Sequence, residues 1–200
     1  MFHLLFSPRP KQYRELASLA DLLDAASALL GPNSRPSAEA ARAVHHLGQQ
    51  GIGLRRKLET RVARARVHTT DPRLICEAAS ELIEVVRLVA RVVRCREWLP
   101  LDATPAKLGE LEAMGVRSVR LVAGTARALG SSGGWLTGPE VAQPMRAEAE
   151  ELYDRGVASV FTESLDPLEV LRRKAVYEVL LGLVLGSDKA LQALQTASLE

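Results

Sequence analysis

Aromatic side chains make up only 4% of this 200-residue chain, too few to furnish the strands of an all-β sandwich. Cysteine is nearly absent. The two present, Cys76 and Cys95, fall on one predicted helix, where 19 steps of about 1.5 Å place them roughly 28 Å apart, beyond any bridge within the chain. With no disulfide framework and no C-x-x-C pair, the cytoplasm is the expected compartment. Met1 to Lys11 is too short in apolar run and too rich in proline for a signal peptide. Long apolar runs are missing as well. The most apolar stretch, Val176 to Leu185, covers ten residues, half of the ~20 that a spanning helix needs. An excess of one charge is also lacking: 26 basic against 24 acidic residues give a net charge of +2. That excludes a general nucleic-acid or membrane-surface footprint and leaves any such role local.

What the chain does have is alanine, leucine, arginine and glutamate, with 47% hydrophobic and 25% charged residues, a mixture that builds helices around one substantial core. Twenty-one arginines against five lysines suit a GC-rich or a heat-adapted source, between which composition does not choose.

Six amphipathic stripes follow helical spacing. Leu16, Leu19, Leu23, Ala26 and Leu30 mark a helix from about Lys11 to Leu30, ended by Gly31-Pro32-Asn33. Ser37 caps a second, long one on Ala40, Val44, Leu47, Gly51, Leu54, Leu58, Val62 and Ala65. Asp71-Pro72 opens a third on Leu74, Ala78, Leu82, Val85, Val89 and Val93, closed by Trp98-Leu99-Pro100. The fourth starts at Thr104-Pro105 on Leu108, Leu111, Gly115, Val119, Val122, Ala126 and Leu129, and Gly130 to Gly134 is the best midpoint break. A fifth runs from about Pro139 to Thr162 on Val141, Met145, Ala149, Leu152, Gly156 and Val160. The sixth begins at Asp166-Pro167-Leu168-Glu169, with a cap and a glutamate three positions on.

The junction Val67 to Pro72 parallels Phe161 to Pro167, each between two helices, so the chain reads as halves of about 1–100 and 101–200. Six stripes joined by short loops predict an all-α fold: two three-helix bundles packed as one elongated domain over residues 1–200. Catalytic signatures are absent. There is no Glu-x-x-His for a di-iron site around His45, His46 or His68, no His-Glu-x-x-His, no Gly-x-Ser-x-Gly elbow between a strand and a helix (Gly130-Ser131-Ser132-Gly133-Gly134 has the spacing but reads as a flexible connection between helices) and no phosphate-cradling loop. Gly48, Gly51 and Gly53 lie inside a helical stripe and point to close helix approach or a local break rather than to nucleotide binding.

The opening Met1-Phe2-His3-Leu4-Leu5, the junction at Val67 to Arg73, and above all Phe161 to Glu178 with its Asp-Pro turn and Lys174, Tyr177 and Glu178 resemble the prokaryotic PhoU-like proteins encoded beside low-affinity Pit phosphate transporters. The resemblance implies a six-helix PhoU-like architecture. It also implies a cytoplasmic, non-enzymatic accessory or regulator of phosphate transport, often self-associating; membrane contact is then expected only through a partner, and the small net charge leaves no nucleic acid among the expected partners.

Members of that family tend to hold iron or similar cations on acidic clusters, since carboxylates four apart share a helical face and can ligate one ion. The resemblance places those clusters on Gln49 and Gly53, on Ser80, Glu81 and Glu84, on Arg146 and Glu150, and on Leu181 and Leu185. Two of the four keep no carboxylate. The expectation is therefore no cofactor, with iron or another divalent cation at Glu81, Glu84 and Glu150 as the alternative.

Each remaining cluster has a plain reading beside a functional one. Glu77, Glu81 and Glu84 lie within about 60° on one helix and read as a solvated acidic edge paired with Arg87 or Arg91, or as a cation site. Glu148, Glu150, Glu151 and Asp154 form a similar patch. Arg55, Arg56, Lys57, Arg61, Arg64 and Arg66 are solvated flanks, or Arg55, Arg56, Arg61 and Arg64 contact an anion or partner. Leu180, Leu181, Val184 and Leu185 make the sixth helix apolar nearly all round; a partner, a second copy or helix one is expected to cover it. A helical scaffold for an unrelated partner stays open as a third function.

Overall fold

The structure, a computed structural model, describes residues 13–30, 37–64, 71–101, 104–130, 138–163 and 165–199. The expectations for Met1 to Lys11, Gly31 to Asn33, Ala65 and Arg66, the Val67 to Thr70 junction with His68, Ser131 to Gly134, and the side chain of Val141 lie outside the described residues. The described ones form six helices and no strand: α1 (Tyr13–Ala28), α2 (Ala38–Arg64), α3 (Pro72–Trp98), α4 (Ala106–Gly130), α5 (Gly138–Thr162) and α6 (Pro167–Leu199).

Local chemistry sets the helix starts. The Ser37 hydroxyl accepts from the Ala40 amide at 3.1 Å, and the Asp71 carboxylate accepts from the Arg73 amide at 2.8 Å with Pro72 in the first turn, so both free amide ends find an acceptor. At α6 the glutamate expected to serve the cap does something else. Glu169 accepts from the Arg173 guanidinium at 2.9 Å, one turn into its own helix.

Packing follows the stripes. Leu16, Leu19, Leu23, Ala26 and Leu30 of the first helical segment are fully buried or nearly so, and each buried leucine contributes about 1.5 to 3 kcal/mol. α2 packs on α1 and α3 and buries a thin line of Val44, Gly51, Leu58 and Val62. α2 also runs unbroken through its three glycines; only Gly51 meets neighbouring helices, with Gly48 and Gly53 facing open space. α5 packs on α4 and α6, and the two triplets join along α3 with α6 and α1 with α4. Buried apolar residues from all six helices form one cluster.

α3 departs from its single stripe. Leu74 is half-buried while Ala78, Leu82, Val85, Val89 and Val93 are joined in the core by Ile75, Ala79, Ile83, Val86 and Val92. The reason is its position: α1, α2 and α6 press on it from different sides, so a one-sided helix would leave a face unfilled. α6 is enclosed likewise by α3, α4 and α5. Its cover within the chain therefore comes from these three and not from helix one, which was one of the covers expected. α3 and α6 run antiparallel, with Glu81 paired to Lys189, Leu88 lying where a Cβ on Gly186 would stand, and Arg96 and Val176 lining one cavity. α5 and α6 close in the same manner, because the ring of Tyr177 occupies the space a side chain at Gly156 would need.

Candidate functional site

The carboxylates expected to ligate a cation are held by cations of the protein itself. Glu81 of α3 meets Lys189 of α6 at 2.8 Å, Glu84 meets Arg87 at 3.2 Å, and Glu150 meets Arg146 at 3.1 Å. The pairing of Glu84 with Arg87 follows the plain reading of that acidic edge; that of Glu81 crosses between helices and no spacing within α3 announces it. Arg146, standing where the resemblance puts an acid, also reaches Asp188 at 3.8 Å, a nearly buried carboxylate that accepts from Gln192 at 3.0 Å as well. Lys189 and Arg146 thus supply the positive charge that a metal would bring. Among the described residues no three His, Cys, Asp or Glu side chains gather where an ion could be held. Glu81, Glu84 and Glu150 do not gather at one point among the described residues, and each faces a different cation of the protein, so as a donor set they do not complete one metal shell.

The basic half of α2 divides. Arg55 pairs with Glu59 at 2.8 Å along the helix. Arg61 pairs with Glu15 of α1, whose carboxylate is almost fully buried, so Arg61 serves the fold. Arg56 and Arg64 stand exposed.

The apolar positions of α6 divide too. Leu180 and Val184, expected at a partner contact, are 1% and 2% exposed and belong to the chain's own core. Leu181 and Leu185 are half-buried and retain surface. A different apolar patch is the more prominent one. Trp98, Phe161, Leu168 and Leu171 are exposed at 70%, 64%, 52% and 63%. All four sit at one end of the bundle, where the end of α3, the start of α4, the end of α5 and the start of α6 meet. Arg96, Leu108 and Val176 line one cavity there, and Arg173 reaches Glu163 at 2.8 Å. The sequence carried a signal for it, because Leu168 and Leu171 are large apolar residues in the first turns of a helix whose buried stripe begins later, at Val176.

Beneath that patch lies a tightly paired polar cluster. Arg173, 9% exposed, donates to Glu169 and Glu163, and these carboxylates hold its guanidinium more firmly protonated than usual. The neighbouring Tyr177 hydroxyl is buried without a hydrogen-bond partner among the described residues, and burial pushes its pKa up. Across the cavity, Glu112 of α4 accepts from Arg96 of α3 at 2.7 Å, yet burial outweighs that pairing and raises its pKa. Cys76 and Cys95 are free and half-buried, with burial raising both thiols, which makes them poor nucleophiles. None of these groups forms a nucleophile and base pair.

Two packed helical triplets sharing one core, with no helix among the described residues long and apolar enough to cross a membrane, define an all-α fold of PhoU-like type. The correspondence is with a crystal structure of a PhoU-like protein from Shewanella oneidensis, which superposes at a TM-score of 0.65 over 95% of this chain and 96% of that one, at 13% sequence identity. No family model and no curated protein matches the chain.

Proposed function

We propose that this chain is a non-enzymatic accessory or regulator of inorganic phosphate transport, acting in the cytoplasm by contact with a transporter or regulatory protein and without a metal cluster. The observation that carries the reading is the correspondence of fold with a PhoU-like protein along nearly the whole of both chains. The paired state of Glu81, Glu84 and Glu150 supports the metal-free part, since each carboxylate already has a cation of the protein beside it. The exposed Trp98, Phe161, Leu168 and Leu171 support the contact part: large apolar side chains grouped at one end are what a partner surface uses. Leu181 and Leu185 offer a second, smaller face for another copy of the chain. No charge excess recommends a nucleic acid, and membrane contact runs through the partner.

The test is capture of the tagged chain from membranes of its source cells, with the native mass and metal content of the purified protein measured alongside. A phosphate transporter or its regulator is expected in the wild-type capture and is lost from the Trp98→Ser, Leu171→Ser double variant. Capture of neither, or iron, manganese or zinc near one equivalent per chain, overturns the corresponding half of the reading.

A further inference from the structure

We propose that the seam between α2 and α3 is a binding site for a small phosphate-type oxyanion. The seam opens into a groove of about 190 Å³. His45 and Gln49 of α2 and Arg87 and Arg94 of α3 line it, and Gly48 and Ala90 keep it open. A side chain at Gly48 would find nothing within 4 Å, so the space is real rather than a crease between packed atoms. Two guanidiniums, an imidazole and an amide are the donors that a tetrahedral oxyanion takes, and guanidinium forks grip its oxygens two at a time.

These donors are only lightly committed. Arg94 gives its Nε to the Ala90 carbonyl of its own helix at 3.3 Å, which leaves both terminal nitrogens to the groove. Arg87 touches Glu84 at 3.2 Å, but with side-chain exposures of 60% and 49% that ion pair is weak and open to displacement. His46 bonds to Gln50, so His45 is the imidazole left facing the groove. No carboxylate lines it.

Two other arginine-bearing hollows among the described residues lack this imbalance. Between α4 and α5, Arg117 and Arg120 share their groove with Glu110 and Glu148, and near the apolar end Arg96 is taken by Glu112. A water fills about 30 Å³ of liquid, so the α2–α3 groove has room for an oxyanion with its waters or with a short organic body. The ligand is thus a phosphate group, arriving as inorganic phosphate or as a small phosphomonoester.

Calorimetric titration of the full chain at constant ionic strength, with inorganic phosphate, sulfate and glycerol phosphate as probes and chloride as baseline, tests the site. Saturable binding is expected, with a Kd in the millimolar range or below, that the Arg87→Ala, Arg94→Ala double variant weakens by about tenfold or more. Gly48→Leu, which fills the groove, weakens it likewise, while Arg117→Ala in the charge-balanced groove leaves it unchanged. Binding of inorganic phosphate assigns the free anion; binding of glycerol phosphate alone assigns a phosphomonoester. No probe binding above chloride, or an affinity untouched by the double variant, overturns the proposal. The groove shares no lining residue with the apolar end, although Arg94 stands one turn from Trp98 on α3, and phosphate binding by the purified chain is read separately from capture of a transport partner, so the two outcomes fail independently.

Discussion

At the seam of α5 with α6, Gly156 leaves room for the ring of Tyr177, and the two helices close over a fully buried aromatic. At the seam of α2 with α3 the outer helix carries three glycines. Gly51 meets Ile83 at ordinary contact distance, 3.4 Å from where its Cβ would stand, while Gly48 and Gly53 face open space. The same residue type is therefore a packing device at Gly156 and Gly51 and a gap at Gly48 and Gly53, and the partner across the seam decides which. Where the opposing residue is large the glycine is filled; where Ala90, Arg87 and Arg94 line the far side, a groove remains. Polar chemistry follows the packing. The closed seam ties the buried Arg173 to two carboxylates, and the open one leaves Arg94 without an acid among the described residues and Arg87 with only an exposed pairing to Glu84, along a cavity that no acid lines.

The largest expected effect breaks the closed seam. Tyr177→Ala should lower stability by about 3 to 5 kcal/mol in urea unfolding, as deletion of a fully buried aromatic does. Ile52→Ala at the open seam, where the side chain is half-buried, should cost about 1 kcal/mol. Equal losses would mean that the two seams are packed alike. Next come the glycines themselves. Gly156→Ala drives a methyl into the Tyr177 ring and should cost about 1 to 3 kcal/mol, whereas Gly48→Ala meets nothing and should gain about 0.5 to 1 kcal/mol from helix propensity. Opposite signs in thermal unfolding sharpen the contrast; the same sign for both erases it.

The smallest effect lies where the two halves meet, at Glu112. Burial raises its pKa in the folded chain, so the folded state holds that proton more tightly than the unfolded one. Its contribution to stability is then greatest in acid and declines as pH rises through the ordinary carboxylate range to the raised folded value. Glu112→Gln removes the decline. The melting temperature of wild type relative to this variant should fall across that window, and a difference that grows with pH would show that the Arg96 pairing outweighs burial.

Much of the fold was legible in the residues. The α1 stripe is buried at every position named for it, the α4 stripe at Leu108, Leu111, Val119, Val122, Ala126 and Leu129, and Asp71 caps α3. These features depend on neighbours three or four residues apart, which a sequence displays directly. The second buried face of α3 was not legible, because Ile75, Ile83 and Val86 gain their cover from helices distant in the chain. Nor was the core role of Leu180 and Val184, or the pairing of Glu81 with Lys189, for the same reason. Apolar end residues were visible as large side chains, but spacing does not say that Trp98 and Leu171 share an end.

Composition and periodicity by themselves determined that the chain is helical, where each helix begins, and which stripe seeks the core, because those outcomes follow from backbone hydrogen bonding and burial within one or two turns. Tertiary structure alone decided which acids are neutralised by which cations, which glycine is filled, and which arginines are left beside an open groove. Those outcomes depend on distances between residues far apart in the chain, and only the crossing of helices sets such distances.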